Sequence, residues 1–389
     1  MWRQDQTRIR CVLMRGGTSR ALFVMRGDLP SEPERRDRVI LRIYGSPDVR
    51  QIDGLGGADP LTSKLAIIGP PSCRDADVDY TFGQVSIREP LVDYAGNCGN
   101  ISSAVGPFAI DEGLVEPVEP TTTVRIHQTN TESILIAEVP VVNGKVAVEG
   151  EYHIDGVPGT GARIDLDFSD TAGAVTGRIL PTGNPLDQLV VEGVGTIEVS
   201  VVDAGNPCVF VRARDLGMGG TETPEQIDAD QALNERIERI RGTVAAKLGL
   251  VEAWRDAARE SPYIPFFVLV SPPADYVDFT TGRTVAAQKV DFVARLLFML
   301  RTHKAYAVTG TVCTGAAAKM PGSIVHEAAR PESHSRSLTR IGHPAGVIEV
   351  EADMRANDGV RLVRASMGRT ARRIMEGYAF VPWSTFDKE

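Results

Sequence analysis

Two stretches of the chain repeat one pattern at nearly half its length. Residues 11–30, CVLMRGGTSRALFVMRGDLP, read as a strand, a glycine turn, a second strand and then Asp-Leu; residues 199–217, VSVVDAGNPCVFVRARDLG, read the same way. The alignment sets Gly17 against Gly205. A hairpin duplicated at that offset points to two similarly built lobes with a cleft between them. A length of 389 residues, long for one compact core, agrees. PTGNPLD at 181–187, with Gly183, Asn184 and Pro185, falls where a connection belongs. The expected lobes are therefore 1–187 and 188–389, with the last strand free to return to the first lobe.

Strand-like segments rich in Val, Ile and Phe are expected at 8–14, 20–25, 77–87, 122–128, 132–139, 144–149, 195–202, 208–213 and 346–351. Helical spacing is read at 34–44, 100–113, 228–248 and 287–302. Many strands with few helices imply an α+β fold with mostly antiparallel sheet.

Several function classes lose their support at once. The net charge is −9, from 42 Lys and Arg against 51 Asp and Glu, and no basic run tracks a phosphate backbone, so nucleic acid is not an expected partner. The same acidity repels anions at long range, so a carboxylate pocket must be made attractive locally, by N–H groups and a few cations. Cys11, Cys73, Cys98, Cys208 and Cys313 are odd in number, widely spaced and without C-x-x-C, which argues against a disulfide framework and a zinc site. The six histidines lack metal-ligand spacing, and His343 in IGHPAG reads as a turn residue. No metal and no cofactor are expected. Walker A, G-x-G-x-x-G and G-x-S-x-G are all absent. The N-terminal segment lacks a signal-like apolar run, and no stretch reaches the roughly 18 apolar residues of a membrane span. A cytoplasmic location is expected, with no membrane contact.

Three loops concentrate polar chemistry. In DYAGNCGNISSAVGPFAIDEGL, 93–114, a glycine loop runs into a helix, which sets Cys98 at a helix N-terminus where unpaired N–H groups and the helix dipole favour a thiolate or a substrate carboxylate. Asn97 and Asn100 add donors; Gly96 and Gly99 permit close backbone approach. In DGLGGADPLTSKLAIIG, 53–69, Ser63 and Lys64 leave a tight loop for an apolar run. Desolvation there lowers a lysine's pKa toward that of a useful base, although a snorkelling lysine at a strand end is the alternative. In MRGGTSR, 14–20, Gly16 and Gly17 offer main-chain donors, Thr18 and Ser19 hydroxyls, and Arg15 or Arg20 a cation.

MRGGTSR, GLGGADPLTSK and DYTFGQVSIREPLVDYAGNCGN together resemble the signature segments of PrpF-type isomerases. The similarity continues through PTGNPLD, DAGNPC at 203–208, TGRTVAAQKVD at 281–291, GHPAG at 342–346 and MGRTARRIMEGYAFVP near the C-terminus. The resemblance implies the diaminopimelate-epimerase fold: two pseudo-symmetric lobes, each a curved, mostly antiparallel sheet around a central helix. It implies cofactor-free proton transfer on a small unsaturated tricarboxylate-like acid such as 2-methylaconitate or aconitate, with 4-oxalomesaconate tautomerisation as the alternative. It assigns catalysis to Lys64 and Cys98, and substrate contacts to Gly17, Thr18, Ser19, Arg20, Ser63, Asn97, Gly99, Asn100 and Thr309. Arg20 stands where the family usually has lysine, exchanging a compact ammonium for a planar fork. Cys313 lies close to where epimerases carry a second catalytic cysteine, which leaves a two-cysteine racemase as a further reading. A non-catalytic accessory of an aconitase-like partner and a homodimer are the remaining options.

Overall fold

The computed structural model describes residues 5–355 and 361–387. Among them nineteen strands form one continuous hydrogen-bonded network, and the hairpin echo extends into a repeated order of pairing. In the first half Gln6–Gly16 pairs antiparallel with Ser19–Met25, which runs parallel to Lys64–Gly69; that strand is antiparallel to Val78–Val85, which runs parallel to Thr121–Gln128, itself antiparallel to Ser133–Val142. The second half repeats the alternation with Gly195–Ala204, Asn206–Arg212, Phe266–Ser271, Phe292–Phe298, Leu338–His343 and Gly346–Arg355. The fold is α+β with two pseudo-symmetric lobes.

Parallel neighbours need a long crossover, and the same crossover carries a helix in each half. Pro33–Tyr44 lays Val39, Ile40 and Ile43 on the outer face of the first sheet; Gln231–Lys247 lays Leu233, Ile237, Ile240 and Val244 on the second. Each sheet wraps a central helix, Gly99–Asp111 or Val308–Ala318, buried over nearly its whole surface. A helix enclosed on all sides shows no amphipathic stripe and needs small residues where strands approach. A Cβ on Gly106 would stand 2.8 Å from Val139, and one on Gly315 2.7 Å from Val350, the same contact in both halves.

The halves are interlaced at the chain ends. Arg361–Arg369 pairs with Gly346–Arg355 on one side and with Ile164–Asp167 on the other. Ala371–Pro382 then pairs along all of Gln6–Gly16.

Three expectations need correction. The helical spacing at 287–302 belongs to the strand Phe292–Phe298, followed by the short strand Arg301–Thr302. All seven residues of the longer strand are buried between Phe266–Ser271 and Leu338–His343, and an uninterrupted apolar run matches any period. The helix read at 228–248 breaks at Asp230, whose carboxylate accepts the Leu233 N–H and starts a new helix. The strand read at 144–149 is confined to Lys145–Val146. No helix among the described residues is long and apolar enough to cross a membrane.

Candidate active site

Each hairpin turn lies against the start of its own central helix. Gly17, at φ +50°, has no room for a Cβ because Asn100 Oδ1 occupies the place. Gly205, at φ +77°, would set one 2.8 Å from the Thr309 carbonyl. Glycine is required at both positions, for left-handed backbone and for close approach. The two helix starts therefore meet, with Gly99 against Val308.

Neither helix is capped by a side chain: Cys98 and Ala307 are the N-cap residues, and the first intrahelical amide donors are Ser102 and Thr311. The first-turn amides from Gly99 and Val308 onward have no intrahelical partner and carry the positive ends of both dipoles. They converge on a small pocket whose wall includes Ser19, Lys64, Cys98, Asn100, His303 and Thr309, with Phe266, Phe298 and Tyr263 as its apolar side.

Lys64 opens the strand Lys64–Gly69, and its carbonyl accepts from the Tyr44 hydroxyl at the end of the outer helix, which pins the strand start. Only 2% exposed, it sends Nζ toward the Phe82, Tyr263 and Phe298 rings at 5.3, 5.7 and 5.0 Å. Nζ donates to Oε1 of Gln84, its direct cross-strand partner, at 2.6 Å. Burial pushes the Lys64 pKa below the ordinary 10.5, while Cys98 and Asp59 pull it partly back. His303 accepts the Ala305 N–H on Nδ1 at 3.0 Å, leaving its ring proton on Nε2. Its pKa is pushed down to about 3 by burial and then by the Lys64 charge, so it is a neutral donor.

The surroundings hold several buried polar atoms without partners: Thr18 Oγ1, Ser19 Oγ, Asn97 Nδ2 and Arg369 Nε. All can donate, and an anion is what such a set is short of.

Of the residues anticipated from sequence, Lys64, Cys98, Ser19, Gly99, Asn100 and Thr309 line one pocket, and Gly17 and Thr18 lie against Asn100 in its wall. The main-chain donors of the first loop are already engaged, Gly17 N–H with Thr370 O at 2.9 Å and Thr18 N–H with Asn100 Oδ1 at 3.2 Å, so that loop presents hydroxyls. Asn97 joins the halves: its carbonyl accepts from Asn206 Nδ2 at 2.8 Å, Tyr263 Oη at 2.9 Å and Thr309 Oγ1 at 3.3 Å. Ser63 is placed away from the pocket, its hydroxyl donating to Gln51 Oε1 at 2.7 Å. Arg20 follows Ser19 on a strand and so faces the opposite side, toward Gly57 and Tyr44. Cys313 is not at the helix start. It is the sixth residue of Val308–Ala318, fully buried, with Sγ donating to Val202 O at 3.1 Å, and the residue that matches Cys98 is Ala307.

Gln84, Tyr263, Phe298, His303 and Arg369 were not anticipated. The alternation in YTFGQVS, which sends Gln84 to the face opposite Phe82's neighbours, was a usable signal for the first; nothing local marks the others.

A family model described as PrpF protein matches residues 6–382. The chain is 56% identical to 3-methylitaconate isomerase of Eubacterium barkeri, covering 97% of this chain and 98% of that one. It is 41% identical to 4-oxalomesaconate tautomerase of Pseudomonas putida (98% of each) and 39% identical to 2-methyl-aconitate isomerase of Shewanella oneidensis (97% and 98%). Among solved structures, a methylitaconate-delta-isomerase superposes with a TM-score of 0.80 at 54% identity, over 99% of this chain and 98% of that one. A hydroxyproline epimerase from Agrobacterium vitis superposes at 0.58 over 99% and 94%, and at 12% identity shares the fold alone, that of the diaminopimelate-epimerase type. Matched along nearly its full length by the family model and by relatives of similar size, the chain belongs to the PrpF family.

Proposed function

We propose that this isomerase moves a double bond within a small unsaturated polycarboxylate, without metal or organic cofactor, using Lys64 as base and Cys98 as the acid that returns a proton. The observation that carries the reading is the meeting of Lys64 and Cys98 in one pocket at two uncapped helix starts. Lys64 removes a proton from a carbon that is both allylic and next to a carboxylate. The electron pair spreads through the allylic system onto the carboxylate oxygens. Cys98 protonates the far carbon, the double bond shifts, and a proton passed from Lys64 to Cys98 restores both groups. No oxidant or reductant is needed. The charge developing on oxygen is met by first-turn amides fixed before the reaction begins. Burial holds the Lys64 pKa down, which makes the free amine available nearer neutral pH.

Phe266, Phe298 and Val308 give the pocket an apolar wall that suits a methyl or methylene substituent. That wall, together with the high identity to a 3-methylitaconate isomerase, favours methyl-bearing acids of the methylitaconate and 2-methylaconitate kind over 4-oxalomesaconate, whose extra oxygen would face aromatic carbon. The test is proton NMR in D2O with methylitaconate, 2-methylaconitate, aconitate and 4-oxalomesaconate. Isomerisation with solvent deuterium entering a methyl-bearing acid is expected; absence of both reactions with all four acids overturns the reading.

A further inference from the structure

A second cavity adjoins the Lys64 pocket, and the proton transfer makes no use of it. Its walls include Thr18, Tyr152, Tyr306, His343 and Arg369. Single residues separate the two spaces: Thr18 lines the second and Ser19 the first, Tyr306 the second and Ala307 the first. Asn100 in the wall of the first and the Arg369 stem in the wall of the second both lie against Gly17, where a Cβ would stand 2.0 Å from Asn100 Oδ1 and 3.3 Å from Arg369 Cδ, so the two walls are about one residue apart.

The interior of this cavity is short of an anion. Arg369 is 5% exposed; its Nη1 donates to Gly368 O at 2.9 Å, its Nε has no partner, and no carboxylate among the described residues forms an ion pair with it. A guanidinium buried without counter-charge is costly unless a ligand supplies the charge. Its stem is held in place by the Gly17 turn, where a Cβ would come within 3.3 Å of Arg369 Cδ. Thr18 Oγ1 is buried beside it without a partner. His343, 2% exposed, accepts the Ala345 N–H on Nδ1 at 3.2 Å and so keeps its ring proton on Nε2 as a donor. The two carboxylates at this cavity are Asp155 and Glu349. Asp155 already accepts the Val347 N–H at 2.7 Å and approaches His153 at 3.2 Å, and Glu349 is exposed at the rim.

We propose that Thr18, His343 and Arg369 form a carboxylate subsite that holds the end of the substrate remote from the reacting carbons, and so selects polycarboxylates over monocarboxylates. The inference rests on the isomerase reading given above. A planar guanidinium matches a carboxylate in two parallel hydrogen bonds, and the hydroxyl and imidazole add a third and a fourth donor.

Calorimetric binding of two non-reacting probes, methylsuccinate and butyrate, to the full-length protein tests it apart from turnover. The unmodified protein is expected to bind methylsuccinate the more tightly. Arg369→Gln should weaken methylsuccinate roughly 10- to 100-fold, and Thr18→Val by a smaller factor, with butyrate unchanged. With an active substrate KM should rise more than kcat falls, and Arg369→Lys should recover part of the loss. Thr18→Val, nearly isosteric, keeps the test open if Arg369→Gln does not fold. Unchanged methylsuccinate binding and KM in the folded variants, or equal losses for both probes, overturn the subsite. Selective loss of methylsuccinate in a protein that isomerises none of the four acids supports the subsite and removes the isomerase reading instead.

Discussion

Lys64 Nζ donates to Gln84 Oε1 at 2.6 Å, and Gln84 cannot turn away, because its Nε2 is spent on Pro60 O at 3.2 Å and Ser63 O at 3.1 Å. The amine proposed as base is thus aimed by a neutral acceptor, one that holds it without demanding that it stay protonated. A carboxylate in the same place would favour the ammonium and raise the Lys64 pKa. In Gln84→Glu the rising limb of the pH–kcat profile should move to higher pH, and kcat at pH 7 should fall about 10-fold for every pH unit by which the limb moves. Gln84→Met should move it the other way. A limb at the same pH in both variants would remove Lys64 from the role of base.

The division of labour proposed for Lys64 and Cys98 predicts different residual chemistry. Lys64→Met keeps much of the apolar stem among Phe82, Tyr263 and Phe298 while removing the amine, so the protein should fold and bind substrate, yet lose turnover about 10²–10⁴-fold together with exchange of the substrate proton. Cys98→Ser should lose turnover while Lys64 still exchanges the proton it removes. Single-turnover NMR in D2O separates the two, and near-normal exchange in Lys64→Met contradicts the mechanism.

Cys313 should prove dispensable for chemistry. Its sulfur is buried in the middle of a helix beside Val202 O, and the helix start that would carry a second catalytic sulfur has Ala307. Cys313→Ala is expected to leave kcat and KM unchanged and to lower stability by about 1 kcal/mol, through a small cavity and one lost hydrogen bond. Denaturant melts beside steady-state kinetics check both halves, and a tenfold loss of kcat in a folded variant would restore the racemase reading.

His303 and His343 make the fold sensitive to mild acid. Burial, aided by neighbouring cations, pushes each from 6.5 to about 3. Between those values the unfolded chain binds a proton at each that the folded chain does not, so stability rises with pH across the window and is lost as pH falls below about 6.5. Asp93 and Asp203, raised by burial, act in the opposite sense, so the informative quantity is a difference between variants. His343→Asn should flatten the dependence of unfolding free energy on pH between 7 and 5 by up to about 1.4 kcal/mol per pH unit. Parallel curves for variant and parent would show that His343 titrates normally in the fold.

What the sequence made legible was what depends on neighbours along the chain. The echo of residues 11–30 in 199–217 is a matter of alternation and one glycine, and it grew into matching pair orders in the two halves. Cys98 and Asn100 announced themselves because a glycine loop and a helix start are both local. Phe292–Phe298 defeated the same approach, since a strand buried on both faces has no polar beat to reveal its period. The two cations near the first loop differ in the same way: strand geometry turns Arg20 to the face opposite Ser19, toward Gly57 and Tyr44, and the arginine buried beside Gly17 is Arg369, far along the chain.

That long reach has a consequence for biosynthesis. Gly17 is held by Arg15 Nη1 on its carbonyl and by its own amide on Thr370 O, and among the described residues Gln6–Gly16 has Ala371–Pro382 as its outer partner. A nascent chain paused before residue 369 already contains both hairpins, both central helices, Lys64 and Cys98, and its first turn has Asn100 to lie against, yet its first strand still presents an unpaired outer edge. The outer edge of the first strand therefore closes only once residues 371–382 have been made, so the two ends of the fold are completed together rather than lobe by lobe.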